Sequence, residues 1–336
     1  MQNTIIVDAF GGDNAPLAMI QGCAMARDEA PEIEIALAGS AEKIKKCADE
    51  NGISLRDIGI LEAEGVFLMD DEPTEIIRSK KNTSMAVGLE AVASGEGGAF
   101  ISAGSTGALT VGATFIAKRV KGVKRVAIAT VMPSNEGPYL LIDSGANADC
   151  RGEMLCQFGA MGSVYMQKVM GVSEPRVGLL NIGTEEAKGD ALRLEAYALM
   201  KKAAYSFIGN VEARQAPYGG CDVLVADGFS GNVYLKLTEG LAGALMQNIK
   251  GIFGKNLITK LAAALVMGGL RDFKRKMDYG EYGGALLLGC AKPVIKIHGS
   301  AGAKSVRAAV LQSKSCVESG VVESIREAIE KGGEHD

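Results

Sequence analysis

Ala99-Phe100-Ile101 is a short apolar run of β character, Ser102-Ala103-Gly104-Ser105-Thr106-Gly107 is a turn of small residues, and residues 106–119 form an apolar stretch of helical character. Strand, glycine-bearing turn and helix thus follow one another within about twenty residues, which is half of a βαβ unit. The same succession recurs outward in both directions. Runs at 4–7, 33–37, 58–61, 126–129, 140–142, 177–180, 223–225 and 294–297 read as strands, most of them short and apolar enough to be buried in a sheet. Helices are expected near 15–29, 41–50, 83–95, 153–170, 190–203, 233–253 and 303–330. The expected architecture is α/β with a central, mostly parallel sheet, and in such sheets ligands sit beyond the carboxyl ends of the strands. No linker marks a boundary. A division near residue 140 is expected, with 1–140 plus 300–336 forming one domain and 141–299 the other.

Composition narrows the classes of function. The chain has 336 residues, with 36 Lys plus Arg against 40 Asp plus Glu. A net charge of −4 is not the footprint of a general nucleic-acid binder. Glycine contributes 44 residues while tryptophan is absent, which points to tight turns and close backbone approaches. Seven cysteines without a C-x-x-C pair favour reduced thiols over a disulfide framework or structural zinc. Two histidines are too few for a His-rich metal site, and neither a metal nor a cofactor is expected. No positively charged start leads into an apolar h-region, and no long uncharged apolar run occurs, so neither a cleavable signal nor a membrane span is expected.

Three strand ends carry groups suited to an anion. After the run ending at Ile101, the backbone of Gly104, Ser105, Thr106 and Gly107 together with a helix dipole makes an anion site, while Ser and Thr there serve equally as ordinary N-caps. After 177–180, the segment Asn181-Ile182-Gly183-Thr184-Glu185-Glu186-Ala187-Lys188-Gly189 offers glycines, an amide, a hydroxyl and a lysine; its other reading is a solvated loop before a helix. After 223–225, Asp227-Gly228-Phe229-Ser230-Gly231-Asn232 places an amide that could donate to an oxyanion, or simply makes a turn at a helix start. Neither G-x-x-x-x-G-K-[ST] nor G-x-G-x-x-G occurs, which removes Walker-type and standard dinucleotide sites from the leading readings.

Seven segments in order then show a resemblance. Asp8–Pro16, the Ser102–Gly107 turn, Asp143-Ser144-Gly145-Ala146-Asn147, Leu180–Gly189, Gly209-Asn210-Val211-Glu212, Asp227–Lys236 and Tyr282-Gly283-Gly284-Ala285 resemble the successive motifs of the phosphate acyltransferase family of bacterial phospholipid synthesis, the PlsX family. The chain departs from that pattern at Asn14, at Ser105 and in His298–Lys304. The resemblance implies a two-domain αβα sandwich, isocitrate/isopropylmalate dehydrogenase-like, in a family similar in fold also to phosphotransacetylases. It implies transfer of a fatty acyl group from acyl carrier protein to inorganic phosphate, giving an acyl phosphate that a membrane glycerol-3-phosphate acyltransferase consumes. An activated thioester and a competent nucleophile need positioning, charge neutralisation and an oxyanion donor, with no covalent intermediate. Lys188 and the 104–107 backbone are accordingly expected at the phosphate and Asn232 at the oxyanion. Asn147, Asn181, Gly183, Thr184 and Asp227 are expected to orient the reactants.

One segment breaks the pattern. Between residues 255 and 276 lie Lys255, Lys260, Arg271, Lys274, Arg275 and Lys276 against the single acid Asp272, with Leu261 and Leu265 on an apolar face. The expectation is an amphipathic helix, a break at Gly268-Gly269 and a second helix, suited to an anionic membrane surface or an acidic carrier protein. An apolar face packed in a homodimer is the other reading, and the resemblance implies both uses. The protein is expected in the cytoplasm, peripherally attached to the inner face of the membrane.

Overall fold

The computed structural model describes residues 3–276 and 283–333. In chain order its strands are β1 (Ile5–Asp8), β2 (Ile35–Gly39), β3 (Ile58–Glu62), β4 (Ala99–Ser102), β5 (Ala127–Met132), β6 (Tyr139–Ile142), β7 (Val177–Asn181), β8 (Phe207–Glu212), β9 (Val223–Val225), β10 (Ala285–Leu288) and β11 (Val294–Lys296). The helices are α1 (Leu17–Glu29), α2 (Ala41–Glu50), α3 (Ser84–Ser94), α4 (Thr106–Phe115), α5 (Gly152–Lys168), α6 (Ala191–Met200), α7 (Gly228–Gly254), α8 (Leu257–Lys276), α9 (Ala303–Glu318) and α10 (Val321–Gly333).

All eleven strands belong to one sheet in the order β3-β2-β1-β4-β11-β10-β5-β6-β9-β7-β8. The stretch β3-β2-β1-β4-β11 is parallel throughout, and so is β6-β9-β7-β8. Between them β11–β10, β10–β5 and β5–β6 are antiparallel, so the two parallel stretches run in opposite directions. The central strands are buried on both faces, which is why they read as continuous apolar runs rather than alternating ones. Ile5 and Val7 pack into the layer holding residues of α1, α5 and α9, whereas Ile6 and Phe100 pack into the layer of α3 and α4.

Helix ends follow local chemistry. Ser40, Thr83, Ser105, Asp190 and Asp227 each accept a first-turn N–H from the helix they precede, a contribution of about 1 kcal/mol apiece. Three expectations are corrected. The single C-terminal helix is two, α9 against α1 and α10 against α5, parted at Gly320, whose φ of +63° suits glycine. Strands β8 and β10 fall where none was expected. The break at Gly268-Gly269 is absent: α8 is one continuous helix, and the turn lies before it at Lys255-Asn256. There Asn256 Oδ1 accepts from Thr259 N (2.9 Å) and Asn256 N donates to Thr259 Oγ1 (3.0 Å), a reciprocal cap. A helix so started and packed on α7 carries two glycines at about 1 kcal/mol each.

Candidate active site

A cleft of about 980 Å³ is lined by residues that follow three strands. Thr106, Gly107, Thr110 and Val111 come after β4, Ile297–Gly302 after β11, and Ser144–Ala146 after β6. Asn232, Leu235 and Lys236 of α7 complete one wall, and Met69 and Pro73 add apolar surface beside α4.

The β4 side is built on a buried carboxylate. Asp8 Oδ2 accepts from Ser102 Oγ (2.7 Å), whose oxygen in turn accepts from Gly104 N (3.0 Å). Burial raises the Asp8 carboxyl above its ordinary range, against the bonds from Ser84 and Ser102 that lower it. Ser105 caps α4 through Ala108 N. Thr106 and Gly107, whose first-turn N–H groups have no partner within the helix, line the cleft.

The opposite side rests on Asp143, wholly buried at the end of β6. Its Oδ1 accepts from Ile128 N (3.0 Å), Gly145 N (3.0 Å) and Ala146 N (2.9 Å), and its Oδ2 from Asn147 N (2.7 Å) and Asn147 Nδ2 (2.8 Å). These bonds shape the 143–147 turn against which α7 docks. Gly231 lies flush on the Asp143 carbonyl, where any Cβ would overlap backbone. That close approach puts the next residue, Asn232, beside Gly145 on the cleft wall.

The structure brings the 104–107 turn and Asn232 into this one cleft and sets the other expected residues apart from it. Gly104 and Ser105 shape the turn with their own hydrogen bonds, leaving Thr106 and Gly107 on the surface of the cleft. Asn147 spends its amide on Val126 O (2.7 Å) and Asp143. Asp227 caps α7 and pairs with Arg193, and these bonds hold its carboxyl below the ordinary range against the burial that would raise it. Asn181 closes its own loop through Lys188 O (3.0 Å) and Ile182 N (2.8 Å). Gly183, Thr184 and Lys188 lie in that loop, outside the lining of the cleft, with Lys188 exposed.

Lys260, Leu261 and Leu265 are exposed on α8, Leu265 at 89 %. Of Arg271, Lys274, Arg275 and Lys276 on its last turns only the helical backbone is described, and Tyr282 lies outside the described residues. Among the described residues no helix is long and apolar enough to cross a membrane.

Reading by motif passed over the lysine on the floor of this cleft. Lys296 ends β11 in register with Ser102 of β4. Its Nζ donates to Ala103 O (3.1 Å) and Ile297 O (2.5 Å). Burial lowers this ammonium to about 8, against the pull of Asp8 and Asp13 and with the push of Lys236. Thr130 and Ser144 were also missed; their hydroxyls pair at 2.7 Å on the cleft lining. Lys296 and Thr130 stand outside every motif, because the neighbours that give them a role come from distant strands; Ser144 lies within the 143–147 motif, but its pairing with Thr130 shows only in the fold.

Comparison with known proteins fixes the class. Over 94 % of both chains the fold matches a phosphotransacetylase from Streptococcus pyogenes (TM-score 0.64, 18 % identity) and one from Staphylococcus aureus (TM-score 0.61, 16 % identity). The architecture is therefore that of the phosphotransacetylases, and the isocitrate/isopropylmalate dehydrogenase-like expectation is corrected. The alternation of strands and helices establishes only a sheet with helices packed against it; strand order is set by which edges pair in three dimensions. The sequence pattern of the family described as "Fatty acid synthesis protein" matches residues 3–324. A "Phosphate acyltransferase" from Caldanaerobacter subterraneus is 46 % identical over 330 residues, 98 % of each chain. The chain belongs to this family of phosphate acyltransferases, enzymes of lipid synthesis that form acyl phosphate.

Proposed function

We propose that the cleft is where the thioester of an acylated carrier protein meets inorganic phosphate. The observation that carries this reading is that the first turn of α4, at Thr106 and Gly107, and Asn232 of α7 line one cleft. Phosphate binds at the α4 turn, where backbone donors and the helix dipole favour an anion. A phosphate oxygen attacks the thioester carbon, forming the C–O bond, and the carbonyl electrons move onto oxygen, where Asn232 Nδ2 donates. Collapse breaks the C–S bond, and the thiolate leaves and takes a proton from solvent. The acyl chain lies along Met69, Pro73, Val111 and Leu235. Incubation with acyl carrier protein thioester and phosphate tests this by following free thiol and acyl phosphate together; equal release of both is expected, and thiol without acyl phosphate overturns it. The phosphotransacetylase architecture favours a second reading, a short-chain coenzyme A thioester as donor, which competition between acetyl-coenzyme A and palmitoyl carrier protein separates.

We also propose Lys188 as a cation for the phosphate, a role that requires the exposed 181–189 loop to close over the cleft when substrate binds. Lys188→Ala with intact fold is expected to lose most of its turnover; near-native turnover removes this residue from the mechanism.

The hairpin of α7 and α8 serves attachment. Beyond Leu235 no residue of α7 is buried, and Leu237, Leu241, Leu245, Ile258, Leu261 and Leu265 are exposed. We read this face as the homodimer contact and, with the basic end of α8, as the contact with an anionic membrane on the cytoplasmic side, close to the glycerol-3-phosphate acyltransferase that takes the product. Neutralising Lys274, Arg275 and Lys276 together is expected to weaken co-sedimentation with anionic vesicles, at about 1 kcal/mol per charge. Unchanged sedimentation counts against the membrane role.

A further inference from the structure

We propose that Lys296 is a phosphate-binding residue of this enzyme, supplying from the cleft floor the cation that holds the nucleophile against the first turn of α4. The inference rests on the reading of the cleft as the phosphate site and adds to it a residue that no motif singled out. Its geometry is that of an anchored donor. Two of the three ammonium donors are held by the carbonyls of Ala103 and Ile297, which fixes Nζ under the 102–107 turn; the third remains for a ligand. The side chain is half-buried and lines the cleft together with Thr106, Gly107 and Asn232.

Among the described residues no carboxylate lies within ion-pair distance of this ammonium. A cation taken out of water without a counter-ion is costly, and a bound anion removes that cost. The neighbouring cation on the same cleft, Lys236, is exposed and already bonded to Glu239 (3.2 Å).

The charged and titratable groups facing Lys296 are Asp8 at the end of β1, Asp13 on the loop that follows, and Lys236 of α7. His298 stands two residues further along its own loop, with Nδ1 bonded to Ser300 Oγ (2.8 Å). Asp8 is already engaged by Ser102, so the floor keeps one ammonium aimed at incoming phosphate. Because burial places this group near 8, it carries its charge at neutral pH and loses it as pH rises through that value. Phosphate capture is therefore expected to fall on the alkaline side.

The test measures acyl phosphate formation at saturating acyl carrier protein thioester with phosphate varied, between pH 7 and pH 9, for the wild type, Lys296→Met and Lys296→Arg. For the wild type, kcat/KM for phosphate, which reports the free enzyme, is expected to decline as pH passes about 8. Lys296→Met is expected to raise KM for phosphate about 10- to 100-fold, the loss of one charge-assisted hydrogen bond, with a smaller change in kcat. Lys296→Arg, charged throughout this range, recovers part of the affinity and removes the alkaline decline. A purely structural role would lower stability and kcat without moving that limb.

A wild-type KM for phosphate in folded Lys296→Met overturns the assignment, as does one shared pH profile for the wild type and Lys296→Arg. Where circular dichroism shows Lys296→Met unfolded, the comparison of the wild type with Lys296→Arg decides alone. No acyl phosphate from the wild type overturns the reading of the cleft and this assignment with it, whereas wild-type turnover with an unmoved KM in the variant overturns Lys296 only.

Discussion

Asp143→Ala is expected to destabilise the protein by about 3–5 kcal/mol, because it leaves several buried N–H donors without an acceptor. Five donors converge on this carboxylate, which has 0 % of its surface exposed. Each unsatisfied buried donor costs about 1–3 kcal/mol, and the total falls short of five such losses because the solvent side of the 143–147 turn rehydrates. Asp143→Asn does not rescue it. Both carboxylate oxygens accept N–H groups, so an amide NH2 meets a donor whichever way it is turned. The urea midpoint of each variant measures the effect, and a midpoint equal to that of the wild type would falsify this account of the turn. Activity is expected to fall with stability, since α7 docks on the same turn.

Asn232→Ala is expected to lower kcat by about 10²–10³, the cost of removing one oxyanion donor. The KM for phosphate should hardly move, because the oxyanion forms only as the reaction proceeds. Stability should also hold, since Asn232 is exposed on the cleft wall and the docking of α7 is made by its neighbours Gly228, Gly231 and Leu235. Single-turnover rates with saturating phosphate read the chemical step directly. A folded Asn232→Ala with near-native kcat would remove the amide from the mechanism and leave the α4 turn to act without it.

Most of the sheet is legible in the amino-acid order because its strands are buried on both faces. Runs such as Ile5-Ile6-Val7-Asp8 and Ala99-Phe100-Ile101-Ser102 have no polar alternation to obscure them. β10 escaped for the opposite reason. Ala285-Leu286-Leu287-Leu288 is built of helix-forming residues, and antiparallel pairing with β5 and β11 overrides that preference. β8 is an edge strand with a mixed burial pattern, so neither period stands out. At the candidate site, Asn232 and the α4 turn were readable because each lies at a strand-to-helix junction, where unpaired backbone groups accumulate. Asn147 and Asp227 sit at similar junctions, yet their polar atoms are taken up by Asp143, Val126 and Arg193. Spacing along the chain cannot tell a side chain that serves a ligand from one that serves its own turn.

Alone, the sequence determined that strands alternate with helices, that glycine-bearing turns follow the strands, that a basic segment stands in an acidic chain, and which family the ordered motifs belong to. These are local properties, carried by neighbouring residues and by periodicity. Only the tertiary structure decided that the two parallel stretches run in opposite directions about β10 and β5, and that the ends of β4, β11 and β6 share one cleft. It alone placed Lys296 beneath the Ala103 carbonyl, 193 residues away in sequence. Which polar groups become neighbours is settled by the pairing of strands distant in sequence, and a residue's charge, burial and remaining hydrogen-bonding capacity exist only once those neighbours are in place.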